Sequence, residues 1–236
     1  MRFGVAVFPG TWSDRDSAYA AELAGQDSVY LWHKDRDLRR SDCVILPGGF
    51  SYGDHLRCGA IARFAPLMES VAEFAADGGL VWGICNGFQI LCEAHMLPGA
   101  LMRNASLEYR CVPSHLRVET TSTAFTSGLT LGDIVEAPAS HGEGRFVAEP
   151  DVLMQLENER RVVFRYVSLD GGPAGEEWNP NGSMRDIAGI CNAGRNVLGM
   201  MPHPERSVES LLGSADGLRL FVSVARALER EGAVVA

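Results

Sequence analysis

Residues 2–8 form an apolar run closed by Pro9-Gly10, and alanines recur at helical spacing over residues 18–24 behind Ser13 or Asp14, either of which suits a helix cap. This predicts a strand, a turn and a helix. Residues 28–32 read as a short second strand, and Cys43-Val44-Ile45-Leu46 as a third that runs into Pro47-Gly48-Gly49. An unbroken apolar strand implies that both faces of its sheet are covered. A helical stretch is predicted over residues 55–76, broken at Pro66, followed by a strand over 79–85 and a helix over 86–95. Alternation of strand and helix predicts a parallel sheet.

The pattern changes after Pro98. Residues 109–119, 134–140 and 161–166 read as strands joined by turn-rich loops, and they are expected to form a small antiparallel edge. Residues 169–183 carry four glycines, two prolines and two asparagines, the composition of a mobile surface loop. Two short strands over 187–191 and 197–201 precede a helix over 215–229. No repeat, low-complexity tract or linker interrupts the chain, so residues 1–236 are expected to form one doubly wound α/β domain with a mostly parallel sheet.

Composition narrows the function classes. With 236 residues, 46% of them hydrophobic, the chain can bury a continuous core without covalent staples. Six irregularly spaced cysteines, no charged-then-apolar leader at Met1 and no long apolar run argue against secretion or membrane insertion and for a reducing cytoplasm. A net charge of -9 supplies no basic face for nucleic acid, which leaves small-molecule chemistry as the expectation.

The strongest chemical signal is Gly83-Ile84-Cys85-Asn86-Gly87, a cysteine between a predicted strand and a predicted helix with glycines on both sides. Such an elbow forces the central residue into a strained conformation above the sheet, and the helix start behind it favours a thiolate. A buried structural cysteine would also fit these five residues. Cys43, Cys111 and Cys191 lie in apolar strand-like runs and are expected in the core, whereas Cys58 and Cys92 lie in predicted helices without metal-ligand spacing, so no metal site is indicated. A base is offered by Pro202-His203-Pro204-Glu205, where residues two apart in extended backbone point the same way and Glu205 can orient the His203 ring. His141, in Ser140-His141-Gly142-Glu143-Gly144, is a rival base, although its glycines suit close backbone approach to a ligand. His33, His55, His95 and His115 lack such context. Backbone N–H groups at Gly48-Gly49 and at Asn86 could hold an oxyanion. No phosphate-cradling glycine loop is present, so no ATP use and no cofactor are expected in this chain.

Glycine pair, G-x-C-x-G-x-Q and H-P-E, in that order on one α/β frame, resemble the class I (triad) glutamine amidotransferases, whose fold is flavodoxin-like. Residues 47–54 (Pro-Gly-Gly-Phe-Ser-Tyr-Gly-Asp), 57–64 (Arg-Cys-Gly-Ala-Ile-Ala-Arg-Phe), 85–89 (Cys-Asn-Gly-Phe-Gln) and 199–206 (Gly-Met-Met-Pro-His-Pro-Glu-Arg) are similar to the branch serving de novo purine synthesis. The similarity runs from the first strand to residues 212–217. The resemblance implies Cys85 as nucleophile, His203 as base, Glu205 as its orienter, and Gly49 and Asn86 as oxyanion donors. It also implies glutamine binding by Gly48, Gln89 and the 141–146 loop, including His141, Gly142, Gly144 and Phe146. The implied partners are L-glutamine, a large synthetase subunit carrying ATP and Mg, and a small accessory subunit. Two departures stand out: Trp12-Ser13, where the family more often has Asn-Cys, and Trp82, which replaces a smaller residue. Phe50, Tyr52 and Arg57 suit either a partner interface or the site wall. Competing readings are a stand-alone cysteine hydrolase, a non-enzymatic docking module, and the same chemistry feeding another synthetase, such as one making guanosine monophosphate.

Overall fold

The apolar strands of the first half lie side by side and parallel. In the computed structural model, which describes residues 1–235 and side chains through residue 230, β1 (Arg2–Val7), α1 (Asp14–Leu23), β2 (Asp27–Trp32), β3 (Cys43–Leu46), α2 (Pro66–Ala76), β4 (Leu80–Ile84) and α3 (Asn86–Glu93) follow in order. The second half holds β5 (Ala100–Met102), β6 (Arg110–Val112), β7 (His115–Val118), β8 (Ile134–Glu136), β9 (Ala139–His141), β10 (Arg145–Val147), α4 (Pro150–Asn158) and β11 (Val162–Val167). It continues through α5 (Gly175–Trp178), β12 (Ile187–Cys191), β13 (Val197–Met200) and α6 (Asp216–Val235).

Nine strands make one sheet in the order β2-β1-β3-β4-β13-β12-β11-β7-β8. The five from β2 to β13 are parallel, and the remainder are antiparallel. The C-terminal ends of β3, β4 and β13 are therefore neighbours, and open α/β sheets place their sites at such ends. β3 and β4 are buried along their whole length because helices cover both faces. Alternate residues of β4 show it: the Trp82 ring packs on Phe221 of α6, with centroids 4.8 Å apart, while Gly83 faces α3. Trp82 thus fills the core on the face away from α3.

Four expectations need correction. Pro66 starts α2 instead of breaking a longer helix, as its fixed φ suits the first helical position. The segment ahead of it runs as irregular chain with one tight turn at Ala62–Phe64, because it lies against α3: a Cβ on Gly59, which has φ +79°, would fall 2.7 Å from the Ile90 nitrogen. The predicted strands over 109–119 and 134–140 are each divided at a proline, Pro113 and Pro138, which cannot donate to a ladder. One piece of each, β7 and β8, joins the main sheet, and the other, β6 and β9, pairs outside it. Cys111 is consequently exposed on β6 instead of packed in the core. The 169–183 segment is not simply a surface loop: Ala174, Asn181 and Ser183 are buried. The Asn179 side chain accepts the N–H groups of Gly182 and Ser183, at 2.9 and 3.2 Å, which lets this backbone turn inward. β5, β10 and α4 were not foreseen; the first two are only three residues long.

The seat of α3 is set by Gly87, where a Cβ would fall 1.8 Å from the Leu46 carbonyl oxygen at the end of β3. Gly87→Ala is expected to cost about 3 kcal/mol or more, read as a lower denaturant midpoint. A midpoint close to wild type would mean that α3 does not rest on β3 in this way.

Candidate active site

Cys85 stands between the end of β4 and the first residue of α3, with φ 51° and ψ −107°. A residue with a side chain rarely occupies that region, and it persists only where packing forbids relaxation. Here the Cys85 N–H is tied to the Met200 carbonyl of β13 at 2.8 Å. A Cβ on Gly83 would meet Leu91 Cδ1 at 2.5 Å and the Gly87 carbonyl carbon at 2.7 Å, so helix and strand close on the elbow from both sides. The sulfur lies 3.8 Å from the Ser140 carbonyl oxygen at β9.

His203 follows β13 across the cleft. Its N–H donates to the Pro138 carbonyl at 2.8 Å, and its Nδ1 lies 2.6 Å from Glu205 Oε1. Both side chains are buried. Burial alone would push the ring toward neutrality, but the Glu205 carboxylate and then the Cys85 sulfur outweigh it and raise His203 to about 10. Nε2 has no bond of good geometry, although the sulfur is close enough to act on the ring. The turn is shaped by two glycines. A Cβ on Gly48 would fall 2.5 Å from His203 Cε1, and one on Gly217 only 1.9 Å from the Pro204 oxygen.

These groups border a cavity of about 200 Å³ lined by Trp12, Gly49, Asp54, Cys58, Cys85, Gln89, Tyr109, Ser140, His141, Glu143, His203 and Arg206, among others. Gly49 follows β3 and lines the cavity, Asn86 opens α3 and is not among the lining residues, and among the described residues the Gly49 N–H has no protein acceptor. The Asn86 side chain is structural: its Oδ1 accepts the Ser51 N–H at 3.2 Å, and its Nδ2 donates to Gln89 Oε1 at 2.8 Å. Gln89 in turn donates to the Glu143 carbonyl at 2.6 Å, so it holds the 141–146 loop as well as lining the cavity.

His141 and Gly142 reach the cavity, whereas Gly48, Gly144 and Phe146 lie behind its wall. Gly144 makes room for the His141 ring, and Phe146 stacks on Phe88 at 6.0 Å. His141 is pushed down to about 3 by burial and then by His203, so it is neutral where His203 is charged. That contrast favours His203 over its rival as the proton-carrying group.

Several wall residues escaped the sequence reading. Tyr109 bonds Ser140 Oγ at 2.9 Å over the entrance. The Cys58 thiol donates to Glu143 Oε2 at 3.2 Å; burial, then Asp54 and Glu143, push it well up, so it stays a thiol. Trp12 and Ser13, the departures from the family pattern, engage Arg206: its guanidinium lies 4.9 Å from the Trp12 ring centroid and bonds Ser13 Oγ at 3.3 Å. Ser13 therefore braces the turn that carries His203 and makes no side-chain cap on α1. Of the three ambiguous residues, Phe50 lines the cavity beside Trp12, Tyr52 bonds His33 at 2.6 Å, and Arg57 is paired with Glu93 at 2.6 Å. Among the described residues no group of three or more His, Cys, Asp or Glu side chains is placed to hold a metal, and no helix is long and apolar enough to cross a membrane.

Open α/β sheets that present a cysteine elbow to a buried His–Glu pair form the class of triad glutamine amidotransferases, and this chain has the geometry of that class. Residues 1–217 match the CobB/CobQ-like glutamine amidotransferase domain, and the chain belongs to that family. It is 52% identical over 231 residues to phosphoribosylformylglycinamidine synthase subunit PurQ of Koribacter versatilis, covering 98% of this chain and 100% of that one. It is 54% identical over 224 residues to the subunit of the same name from Salinibacter ruber, covering 94% and 95%. A chain in the structure of PurLQS from Thermotoga maritima superposes with a TM-score of 0.85 at 41% identity, covering 96% of this chain and 98% of that one.

A histidine raised above its ordinary value near 6.5 adds stability that is fully present below that pH and is lost as pH rises toward about 10. The melting temperature is thus expected to fall across this window. His203→Gln should melt lower throughout, because Glu205 loses its charged partner, but with a flatter slope between pH 6.5 and 10. With both proteins made in a Cys85→Ala background, the remaining buried thiols contribute equally, so parallel slopes would show that the ring is not raised.

Proposed function

We propose that this chain is the glutaminase subunit of phosphoribosylformylglycinamidine synthase: it hydrolyses L-glutamine to glutamate and ammonia and passes the ammonia to a synthetase subunit. The single observation that carries the chemistry is the strained Cys85 elbow facing a His203 ring held at 2.6 Å by Glu205. A cationic ring beside the sulfur, at a helix start, is the setting in which a thiolate persists.

The Cys85 thiolate attacks the side-chain amide carbon of glutamine. The oxyanion takes the N–H groups of Gly49 and Asn86, an interaction worth several kcal/mol, about 3 for one donor. His203 gives its proton to the departing nitrogen, ammonia leaves, and a glutamyl thioester remains on Cys85. His203, now neutral, takes a proton from water, whose oxygen attacks the thioester; glutamate leaves and the thiolate is restored. Glu205 keeps the ring oriented and stabilises its cation. His141, Gly142 and Gln89 hold glutamine from the opposite wall. Gly48, Gly144 and Phe146 act through packing, as spacers for the two histidine rings and the loop.

Residues 1–236 work as one amidotransferase domain. The Thermotoga structure is of PurLQS, which supports assembly with a large synthetase subunit and a small accessory subunit. ATP and Mg belong to the synthetase, which uses the ammonia to convert formylglycinamide ribonucleotide to the formylglycinamidine product, and the assembly works in the cytoplasm. A guanosine monophosphate synthetase as partner is disfavoured by the relatives at more than 50% identity over nearly the whole chain.

The test is to treat the chain, alone and with its partner subunits, with 6-diazo-5-oxo-L-norleucine and to map the adduct by mass spectrometry. Labelling is expected at Cys85, absent in Cys85→Ala and slowed at least about a hundredfold in His203→Ala. In the assembled enzyme, Cys85→Ala should abolish product formation from glutamine yet leave it intact from added ammonium chloride. An unlabelled Cys85 in the full assembly would overturn the assignment.

A further inference from the structure

Asn181 lies in the segment between β11 and β12, is 1% exposed, and has an orientation fixed from outside the site. Its Oδ1 accepts the Ser183 N–H at 3.0 Å, and since a backbone N–H can only donate, the amide nitrogen must be the end that faces inward. There Nδ2 lies 3.1 Å from the Tyr166 hydroxyl and 3.0 Å from His141 Nε2. An amide nitrogen cannot accept, so His141 Nε2 must, and in a neutral imidazole the proton then sits on Nδ1. The ring is neutral because burial and the nearby His203 hold it so. Its Cδ2–Nε2 edge is closed off as well, since a Cβ on Gly144 would fall 2.1 Å from Cδ2 and 2.2 Å from Nε2. What remains is a buried Nδ1–H donor with no partner among the described residues, on a side chain that lines the reaction cavity. A buried donor left without an acceptor is unfavourable, and its persistence at a site points to a ligand atom as the acceptor.

We infer that Asn181 is a positioning residue for glutamine binding: it holds His141 as the Nδ1–H tautomer, whose free N–H donates to an oxygen of bound glutamine. This rests on the amidotransferase reading and adds to it the proton that recognises the substrate and the residue that places it. It also gives the 169–183 segment a task, because Asn181 reaches His141 only through the inward turn that Asn179 supports.

Two measurements test this. In the chain labelled with ¹⁵N-histidine, long-range ¹H–¹⁵N spectra, with His141 assigned by its absence in His141→Asn, should show Nδ1 protonated and Nε2 bare. Asn181→Leu should lose that single tautomer. In the assembled enzyme, Asn181→Leu should raise the KM for glutamine about tenfold, the worth of one hydrogen bond, and change kcat by less than about threefold. A merely structural role would lower the melting temperature without splitting KM from kcat. If Asn181→Leu does not fold, the His141 pair decides. His141→Asn sets an amide donor near the Nδ1 position and should keep KM within about threefold of wild type, whereas His141→Ala should lose tenfold or more. A bare Nδ1 in the wild type, an unchanged KM in folded Asn181→Leu, or a His141→Asn no better than His141→Ala would overturn the inference. Absence of glutamine turnover in the wild-type assembly would instead sink the amidotransferase reading, and the spectra would still decide the tautomer.

Discussion

Cys85 can rest at φ 51° and ψ −107° only because the first turn of α3 is pressed onto three strands at once. Gly87 leaves room for the Leu46 oxygen of β3, Gly83 for the turn itself, and Gly199 of β13 for the Phe88 ring, which a Cβ there would meet at 2.1 Å. Each of these is a position where one methyl group would push the helix away from the sheet. The same contact fixes the Asn86 side chain, which reaches across to the Ser51 N–H in the loop after β3 and so ties that loop to the elbow. Packing far from the sulfur in this way sets the backbone on either side of it.

Electrostatics then works within a frame already set by sterics. The His203–Glu205 pair is buried, where desolvation opposes the attraction and removal of either partner strands the other. Its value lies in fixing one ring orientation and keeping that ring charged. The turn that carries it is held by atoms from distant parts of the chain: Pro138 accepts its N–H, Gly217 of α6 lies under Pro204, and Arg206 is clasped by Trp12 and Ser13. A substitution at Trp12 or Ser13 thus acts on the His203 turn through Arg206.

The parallel half of the sheet and its cysteine elbow were legible because both are local patterns. Four apolar residues in a row at Cys43–Leu46 and a glycine on each side of Cys85 carry their structural meaning within a few positions. His203 and Glu205 were legible for the same reason. What sequence could not show was where distant segments meet. Gly144 and Phe146 sit in the loop that the pattern singles out, yet the fold turns them behind the wall, while Tyr109, Cys58 and Glu143 come to the cavity from three separate stretches. Pro113 and Pro138 were visible breaks, but nothing local says that the pieces on either side belong to different sheets. Asn181 was hidden by composition: a run of Asn, Pro and Gly reads as solvent-exposed turn, and only its burial reveals that its amide is used inward.

Two imidazoles share this small chamber, and the fold has given them opposite electrical identities. One is paired with a carboxylate and holds its proton; the other is walled in beside that cation and refuses a second. The cation on His203 discourages a proton on His141, so the two rings share one positive charge, which the Glu205 carboxylate balances. Histidine is the side chain whose charge most readily follows acidity near neutrality. Here the two rings divide the roles: one carries the charge and the other stays neutral, on the walls of one small cavity.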